Sequence, residues 1–89
     1  MIEILMPALS PTMRQANIVQ WYKQVGDDVH SGEVLAELET DKATMEFESA
    51  HNGVFAEILI PDGTQRVKVN TPICRLASTR EEFESIRKS

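Results

Sequence analysis

The sequence is poor in several features that mark common functional classes. Its one cysteine, Cys74, allows neither an internal disulfide nor a cysteine-based zinc site. No apolar run approaches the ~20 residues that a membrane span needs. The stretch Met1-Ile2-Glu3-Ile4 lacks the basic region and long apolar segment expected of a signal peptide. Basic residues are in deficit, with 9 Lys and Arg against 14 Asp and Glu and a formal net charge of −5. Nucleic-acid phosphates want a basic face, so this balance argues against them as partners. At 89 residues the chain is expected to form one domain. Such a small core leaves little room for a deep pocket of the usual ~300–1,000 Å³, which weakens an enzyme reading. What remains is ordinary for a soluble globular protein: 42% apolar and 26% charged residues.

Short apolar stretches alternate with regular breakers. Ile2, Ile4 and Met6 alternate with Glu3 and Leu5 before Pro7, as in a short strand entering a loop. Ala8 to Met13 continues that loop through Pro11. Ile18 to Lys23 is β-branched and aromatic, and Gly26-Asp27-Asp28 breaks it. Val29 to Ser31 is brief, Gly32 breaks again, and Val34 opens the next apolar stretch. Asn52-Gly53 marks a turn, because both residues tolerate positive φ. Val54 to Ile60 ends at Pro61-Asp62-Gly63, Val67 and Val69 alternate before Asn70-Thr71-Pro72, and Ile73 to Ala77 closes the series. Seven or eight short strands so spaced predict an all-β sandwich or barrel.

The two halves of the chain resemble each other. A shift of 37 places Val19, Trp21 and Gly26 on Ala56, Ile58 and Gly63. After one extra residue, a shift of 38 places Val29, Leu35, Ala36 and Leu38 on Val67, Ile73, Cys74 and Leu76. Two similar half-domains sharing one core are expected. The last stretch differs. Ser78 or Thr79 can cap a helix, Glu81 and Glu82 suit its first turn, and Arg87 and Lys88 suit its end. Phe83 and Ile86 could dock it, but about three turns are marginal without packing, so residues 78–89 read as a short helix or a disordered tail.

The segment from Val34 to Ser49 bears most on function. Its Leu, Ala, Glu, Met and Lys favour helix by propensity. Its parity favours strand. Val34, Ala36, Leu38 and Thr40 are small or apolar at even positions, while Ala43, Met45 and Phe47 are apolar at odd ones. A two-residue turn at Asp41-Lys42 explains this single flip of phase. Thr40 then faces Ala43, Leu38 faces Met45 and Ala36 faces Phe47, all on the buried side, with Leu35 outside the pattern. Lys42 sits at the hairpin tip and points into water. The same register opposes Glu37 to Glu46, and like charges directly opposed are destabilising. Glu37, Glu39, Asp41, Glu46 and Glu48 would thus form an acidic collar around one lysine. Two readings stay open on this pattern alone. Lys42 is a solvated lysine relieving acidic crowding, since surface ion pairs stabilise by only ~0–1 kcal/mol, or it is presented for recognition and chemistry.

Other chemistry-bearing residues read as structural. His30 and His51 are isolated loop histidines with no nucleophile or paired acid at a telling spacing. Cys74 falls on Ala36 in the repeat and reads as a small core residue. Trp21 reads as a core or half-buried strand residue. Asp27-Asp28 and Asp62 are turn residues without the 12-residue pattern of a calcium loop.

Three segments carry a family resemblance. Met6-Pro7-Ala8-Leu9-Ser10-Pro11-Thr12-Met13, Glu39-Thr40-Asp41-Lys42-Ala43-Thr44-Met45-Glu46-Phe47 and Val67-Lys68-Val69-Asn70-Thr71-Pro72-Ile73 together resemble the lipoyl domains of 2-oxo acid dehydrogenase complexes, particularly the pyruvate dehydrogenase complex. The resemblance covers residues 1–77 and implies a lipoyl domain there. It implies a flattened barrel of two four-stranded antiparallel sheets with quasi-two-fold symmetry, its lysine on an exposed hairpin turn. By the same resemblance Lys42 is an N6-lipoyllysine, with lipoic acid in amide linkage and Asp41 and Ala43 as turn neighbours. The Ser10-Pro11-Thr12 loop is expected beside it, helping a partner recognise the domain, and the acids Glu37, Glu39, Glu46 and Glu48 are expected to steer docking. The family usually has Gly where Ala16 stands, so Asn17 is expected to take up the unusual backbone angle.

The implied function is a swinging-arm carrier without its own active site. The arm takes an acyl group, acetyl by likeness, from a thiamine-diphosphate 2-oxo acid (pyruvate) decarboxylase. It delivers that group to coenzyme A at an acyltransferase core and is reoxidised by dihydrolipoamide dehydrogenase. A lipoate ligase or lipoyltransferase would attach it. The resemblance implies a monomeric domain that needs neither nucleic acid nor membrane, in bacterial cytoplasm or the mitochondrial matrix. Acyltransferase subunits usually continue into an Ala/Pro-rich linker, whereas Ser78 to Ser89 is charged. The parent is therefore open between a dihydrolipoamide acetyltransferase, another subunit with a lipoyl extension, and a stand-alone carrier. Two competing functions remain. A biotin carrier has a similar fold but normally has Met on both sides of its lysine, unlike Asp41 and Ala43. An acidic interaction module would leave Lys42 unmodified.

Overall fold

The fold is described from a computed structural model over residues 1–88; Ser89, the last residue of the expected tail, lies outside the described residues. Eight strands are followed by one helix: β1 (Ile2–Leu5), β2 (Gln15–Trp21), β3 (Asp28–Val29), β4 (Val34–Glu39), β5 (Thr44–Glu48), β6 (Gly53–Ile58), β7 (Val67–Lys68), β8 (Pro72–Ala77) and α1 (Arg80–Arg87). They form two four-stranded sheets, ordered β1-β8-β6-β3 and β5-β4-β2-β7, with antiparallel neighbours. The sheets face each other as a flattened sandwich. Segment parity matters here because each strand buries one side only.

The internal repeat is a repeat of strand pairing. Each of β1 to β4 holds the place in its own sheet that its counterpart, β5 to β8 in turn, holds in the opposite sheet, so both sheets draw strands from both halves. Ile18 pairs with Leu38, and their counterparts Phe55 and Leu76 also pair. Trp21 pairs with Ala36 as Ile58 pairs with Cys74. Ala16 pairs with Val67 as Gly53 pairs with Val29. Burial is less symmetric than path: Trp21 is 8% exposed and Ile58 37%. The Trp21 ring meets Phe55 edge-on at 5.6 Å, and its Nε1 donates to the Ile60 carbonyl at 2.9 Å.

Leu35, outside the parity pattern, is explained by a β-bulge. Val34 pairs with Glu48 and Ala36 with Phe47, so Leu35 is one extra residue on β4. An extra residue shifts the phase of the pleat, and Leu35 and Ala36 are both fully buried. Val19 in β2, Ala56 in β6 and Ile73 in β8 are skipped in the same way. These irregularities obey the repeat, since Val19 and Ala56 are 37 apart and Leu35 and Ile73 are 38 apart.

Two expectations about turns are corrected. Neither Ala16 nor Asn17 has a positive φ; Ala16 is a buried β2 residue opposite Val67, and Asn17 uses its side chain instead. Gly53 does not have positive φ either. It opens β6 so close to β8 that a Cβ would collide with the Ala77 carbonyl oxygen.

The end of the described chain forms a docked helix. Thr79 is the N-cap of α1, and its hydroxyl accepts from Glu82 N–H at 3.0 Å. Glu82 in turn accepts from Ser78 N–H at 3.0 Å. Phe83 is 1% exposed against Val54 and Ala77, whereas Ile86 is 39% exposed and does not dock. Arg80 donates to the Gly26 carbonyl at 2.9 Å and to Asp28 at 2.6 Å, tying the helix to the loop before β3.

Candidate functional site

The β4–β5 hairpin places one lysine at its tip. Leu38 pairs with Met45 and Glu39 with Thr44, and Thr40 N–H donates to the Ala43 carbonyl at 2.8 Å. Asp41 and Lys42 are the two turn residues, and both are exposed. The expected pairing holds to the tip, but the burial does not. Ala43 is exposed, because the turn projects beyond the edge of the core.

The turn is made by a side chain that parity does not single out. Thr40 Oγ1 accepts from Lys42 N–H at 3.2 Å and from Ala43 N–H at 3.1 Å, and it donates to the Ala43 carbonyl at 3.0 Å. Asp41 makes no hydrogen bond among the described residues. A Ser or Thr opening a turn is a known local motif, and Thr40 directly before Asp41-Lys42 was the available signal.

The Ser10-Pro11-Thr12 loop lies beside Lys42, with Lys42 Nζ 3.4 Å from Thr12 Oγ1. The loop is closed by Met13 N–H to the Ser10 carbonyl at 3.2 Å. Between loop and hairpin runs an open groove of about 940 Å³, bordered by Leu9, Met13, Thr40, Met45 and Arg66. Its volume falls within the range usual for ligand pockets, more room than the size of the chain suggests. Asn17 spans its floor: its side-chain amide donates to Glu39 at 3.1 Å, and its oxygen accepts from Arg66 N–H at 2.9 Å. The latter bond supports Arg66 at φ +57°.

The acids form a stripe more than a collar. Glu39 and Asp41 flank the tip, Glu37 and Glu46 pair directly behind it, and Glu48 pairs with Val34 near the far end of the hairpin. No carboxylate among the described residues lies within ion-pair distance of Lys42, so crowding is not relieved by a direct pair. Tyr22 OH donates to Glu37 at 3.1 Å. That bond first, then partial desolvation and the charges of Glu37 and Glu46, raise the Tyr22 pKa above its ordinary value.

Elsewhere, His30 and His51 are exposed, and His30 Nδ1 sits 3.1 Å from Glu33. Asp27 accepts from Gln24 N–H in a turn, and Asp62 is exposed. Burial pushes the Cys74 thiol up to about 12. Among the described residues no three His, Cys, Asp or Glu side chains are arranged to hold a metal, and no helix is long and apolar enough to cross a membrane.

Two quasi-symmetric sheets that present an exposed lysine on a tight turn make a carrier scaffold. A family described as "Biotin-requiring enzyme", the biotin/lipoyl attachment family, matches residues 2–76, and the chain belongs to it. Within it the chain is similar to lipoyl domains. It is 56% identical over 85 residues to the dihydrolipoyllysine-residue acetyltransferase component of pyruvate dehydrogenase complex of Rickettsia prowazekii, covering 96% of this chain and 21% of that protein. The mitochondrial counterpart of Dictyostelium discoideum is 52% identical over 88 residues, covering 98% and 14%. A Rhizobium meliloti pyruvate dehydrogenase E1 component subunit beta is 53% identical over 85 residues, covering 96% and 18%. The chain thus spans at most about a fifth of these relatives. Among solved structures, the lipoyl domain of the 2-oxoglutarate dehydrogenase complex of Azotobacter vinelandii superposes with a TM-score of 0.67 at 27% identity, covering 86% of this chain and 96% of that one.

Proposed function

We propose that residues 1–77 are a lipoyl carrier domain, that Lys42 bears the lipoyl group, and that residues 78–89 are an appended segment. The observation that carries this reading is the placement of Lys42. Its amine stands at the tip of a rigid hairpin, with one hydroxyl neighbour at 3.4 Å. A lysine so placed can enter another protein's channel, which a buried one could not. Asp41 and Ala43 are small enough to let a ligase reach it. Attachment joins Lys42 Nζ to the carboxyl carbon of ATP-activated lipoate as an amide; the adenylate leaves and an amine proton passes to solvent. When bound, lipoate supplies a dithiolane that can carry an acyl group and two electrons.

The chain's own residues then serve presentation and recognition. The hairpin holds the attachment point clear of the core. The stripe of Glu37, Glu39, Glu46 and Glu48 steers the domain onto basic surfaces, and Ser10, Pro11 and Thr12 add a contact beside the lysine. The partners are a pyruvate decarboxylase subunit, an acyltransferase core, dihydrolipoamide dehydrogenase and a lipoate ligase. Tethering to the complex raises the local concentration of the arm at each site. The parent is an acetyltransferase component or another subunit of the complex, since relatives of both kinds match. The compartment is bacterial cytoplasm or mitochondrial matrix.

Intact mass after incubation with lipoate, ATP and a lipoate ligase tests the attachment. One lipoyl increment is expected, and none in Lys42→Gln. An unmodified wild-type chain, under conditions that load a known lipoyl domain, refutes it. Loading by a biotin ligase in its place would establish a biotin carrier.

A further inference from the structure

We infer that Thr40 is a positioning residue: its hydroxyl holds the turn that presents Lys42 for acylation by a lipoate ligase. This inference rests on the carrier reading above.

The argument starts from the geometry of the turn. Two-residue hairpin turns that match the twist of a sheet place positive φ at one or both central residues, and favour Gly or Asn there. Neither Asp41 nor Lys42 has a positive φ. A turn with ordinary φ at both positions splays its strands, so something else must close it. The hydroxyl of Thr40 does so. Its oxygen accepts from both Lys42 N–H and Ala43 N–H, and its proton goes to the Ala43 carbonyl. A hydroxyl offers one donor and two acceptor sites, so this one is fully used. The Lys42 backbone is thereby tied to the side chain two residues before it, at the end of β4. Any side chain that lacks the oxygen leaves two turn amides without that partner.

The consequence concerns approach. An amine attacking an activated carboxyl within a ligase must arrive along a narrow path, and small displacements slow such steps steeply. The Thr40 hydroxyl bonds backbone groups of Lys42 and Ala43 and not the Lys42 amine, so its effect passes through the Lys42 backbone.

The test uses the full 89-residue chain with Thr40→Val, which keeps the shape, and Thr40→Ser, which keeps the hydroxyl. Initial ligation rates and amide exchange at Lys42 and Ala43 are measured together. Thr40→Val is expected to lower kcat/KM for ligation by about tenfold or more. It should also speed exchange at Lys42 and Ala43 while Leu38 and Met45 stay protected. Thr40→Ser should restore both within about twofold. A Thr40→Val chain that ligates and exchanges like wild type overturns the inference. So does a Thr40→Ser chain as impaired as Thr40→Val, since the hydroxyl would then not be the cause. A wild-type chain that takes no lipoate instead defeats the carrier reading, and exchange at the two amides alone then decides whether Thr40 holds the turn.

Discussion

Replacing Phe83 with Ala should release α1 and leave the lysine hairpin working. The ring is 1% exposed, packs on Val54 and Ala77, and lies under the guanidinium groups of Arg80 and Arg87 at 5.7 and 5.5 Å from its centroid. In a rigid core, Phe→Ala removes about 3–5 kcal/mol, part of it from the cavity left behind. An eight-residue helix is marginal alone, so α1 should undock and no cavity should persist. The loss is then mainly the transfer of one aromatic side chain, about 1.5–3 kcal/mol. The two cation–π contacts add about 0.5–1 kcal/mol each, partly returned as the helix regains chain entropy. A net loss of about 2–3 kcal/mol follows, and at ~4–8 °C per kcal/mol for a domain this size Tm should fall by roughly 10–20 °C. Urea and thermal unfolding, followed by far-ultraviolet dichroism and Trp21 fluorescence, measure it. Helix α1 packs on β6 and β8, in the sheet that does not contain β4 and β5. The initial rate of lipoate attachment should therefore stay unchanged at 20 °C. A loss below about 1 kcal/mol would refute the docking argument, and an equal loss of ligation rate would refute the independence of the two ends.

Three other substitutions probe different links. Glu46→Lys sets a cation opposite Glu37 in place of a like charge, and should raise stability by about 0.2–1 kcal/mol. It should also slow acyl uptake from the decarboxylase and weaken its salt dependence; identical rates at every ionic strength would reject steering. Cys74 has its folded thiol pKa raised from 9.0 to about 12, so its contribution is full below pH 9 and is lost as pH rises towards 12. Unfolding free energy measured across that alkaline range should fall with pH in the wild type and less in Cys74→Ala. Gly53→Ala forces a methyl group against the Ala77 carbonyl and should destabilise the fold by about 1–3 kcal/mol in urea unfolding.

Much of the site was legible because it depends on local period. The parity flip from Leu38 to Met45 is explained by a turn at Asp41-Lys42, and the observed register follows it. The repeat was legible as apolar residues at fixed offsets. What stayed hidden depends on tertiary context. A bulge leaves only a break in alternation, so Leu35 looked anomalous until β5 showed it to be the extra residue. The docking of Phe83 needs Val54 and Ala77 to be adjacent, which no local pattern states. Asn52-Gly53 has the composition of a turn with positive φ, yet Gly53 is required by the approach of another strand. Motif resemblance pointed to the Ser10-Pro11-Thr12 loop, and the contact between Thr12 and Lys42 lies 30 residues apart in sequence.

The Lys42 turn lies at the seam between the two repeated units, after β4 ends the first and before β5 begins the second. Exchange of the halves maps this turn onto the gap between the end of β8 and the start of β1, which no turn bridges. Neither unit alone contains the Lys42 turn; it exists only where they are joined. A scaffold that doubles nearly everything else therefore presents one such lysine turn, and the count of one is set by connectivity.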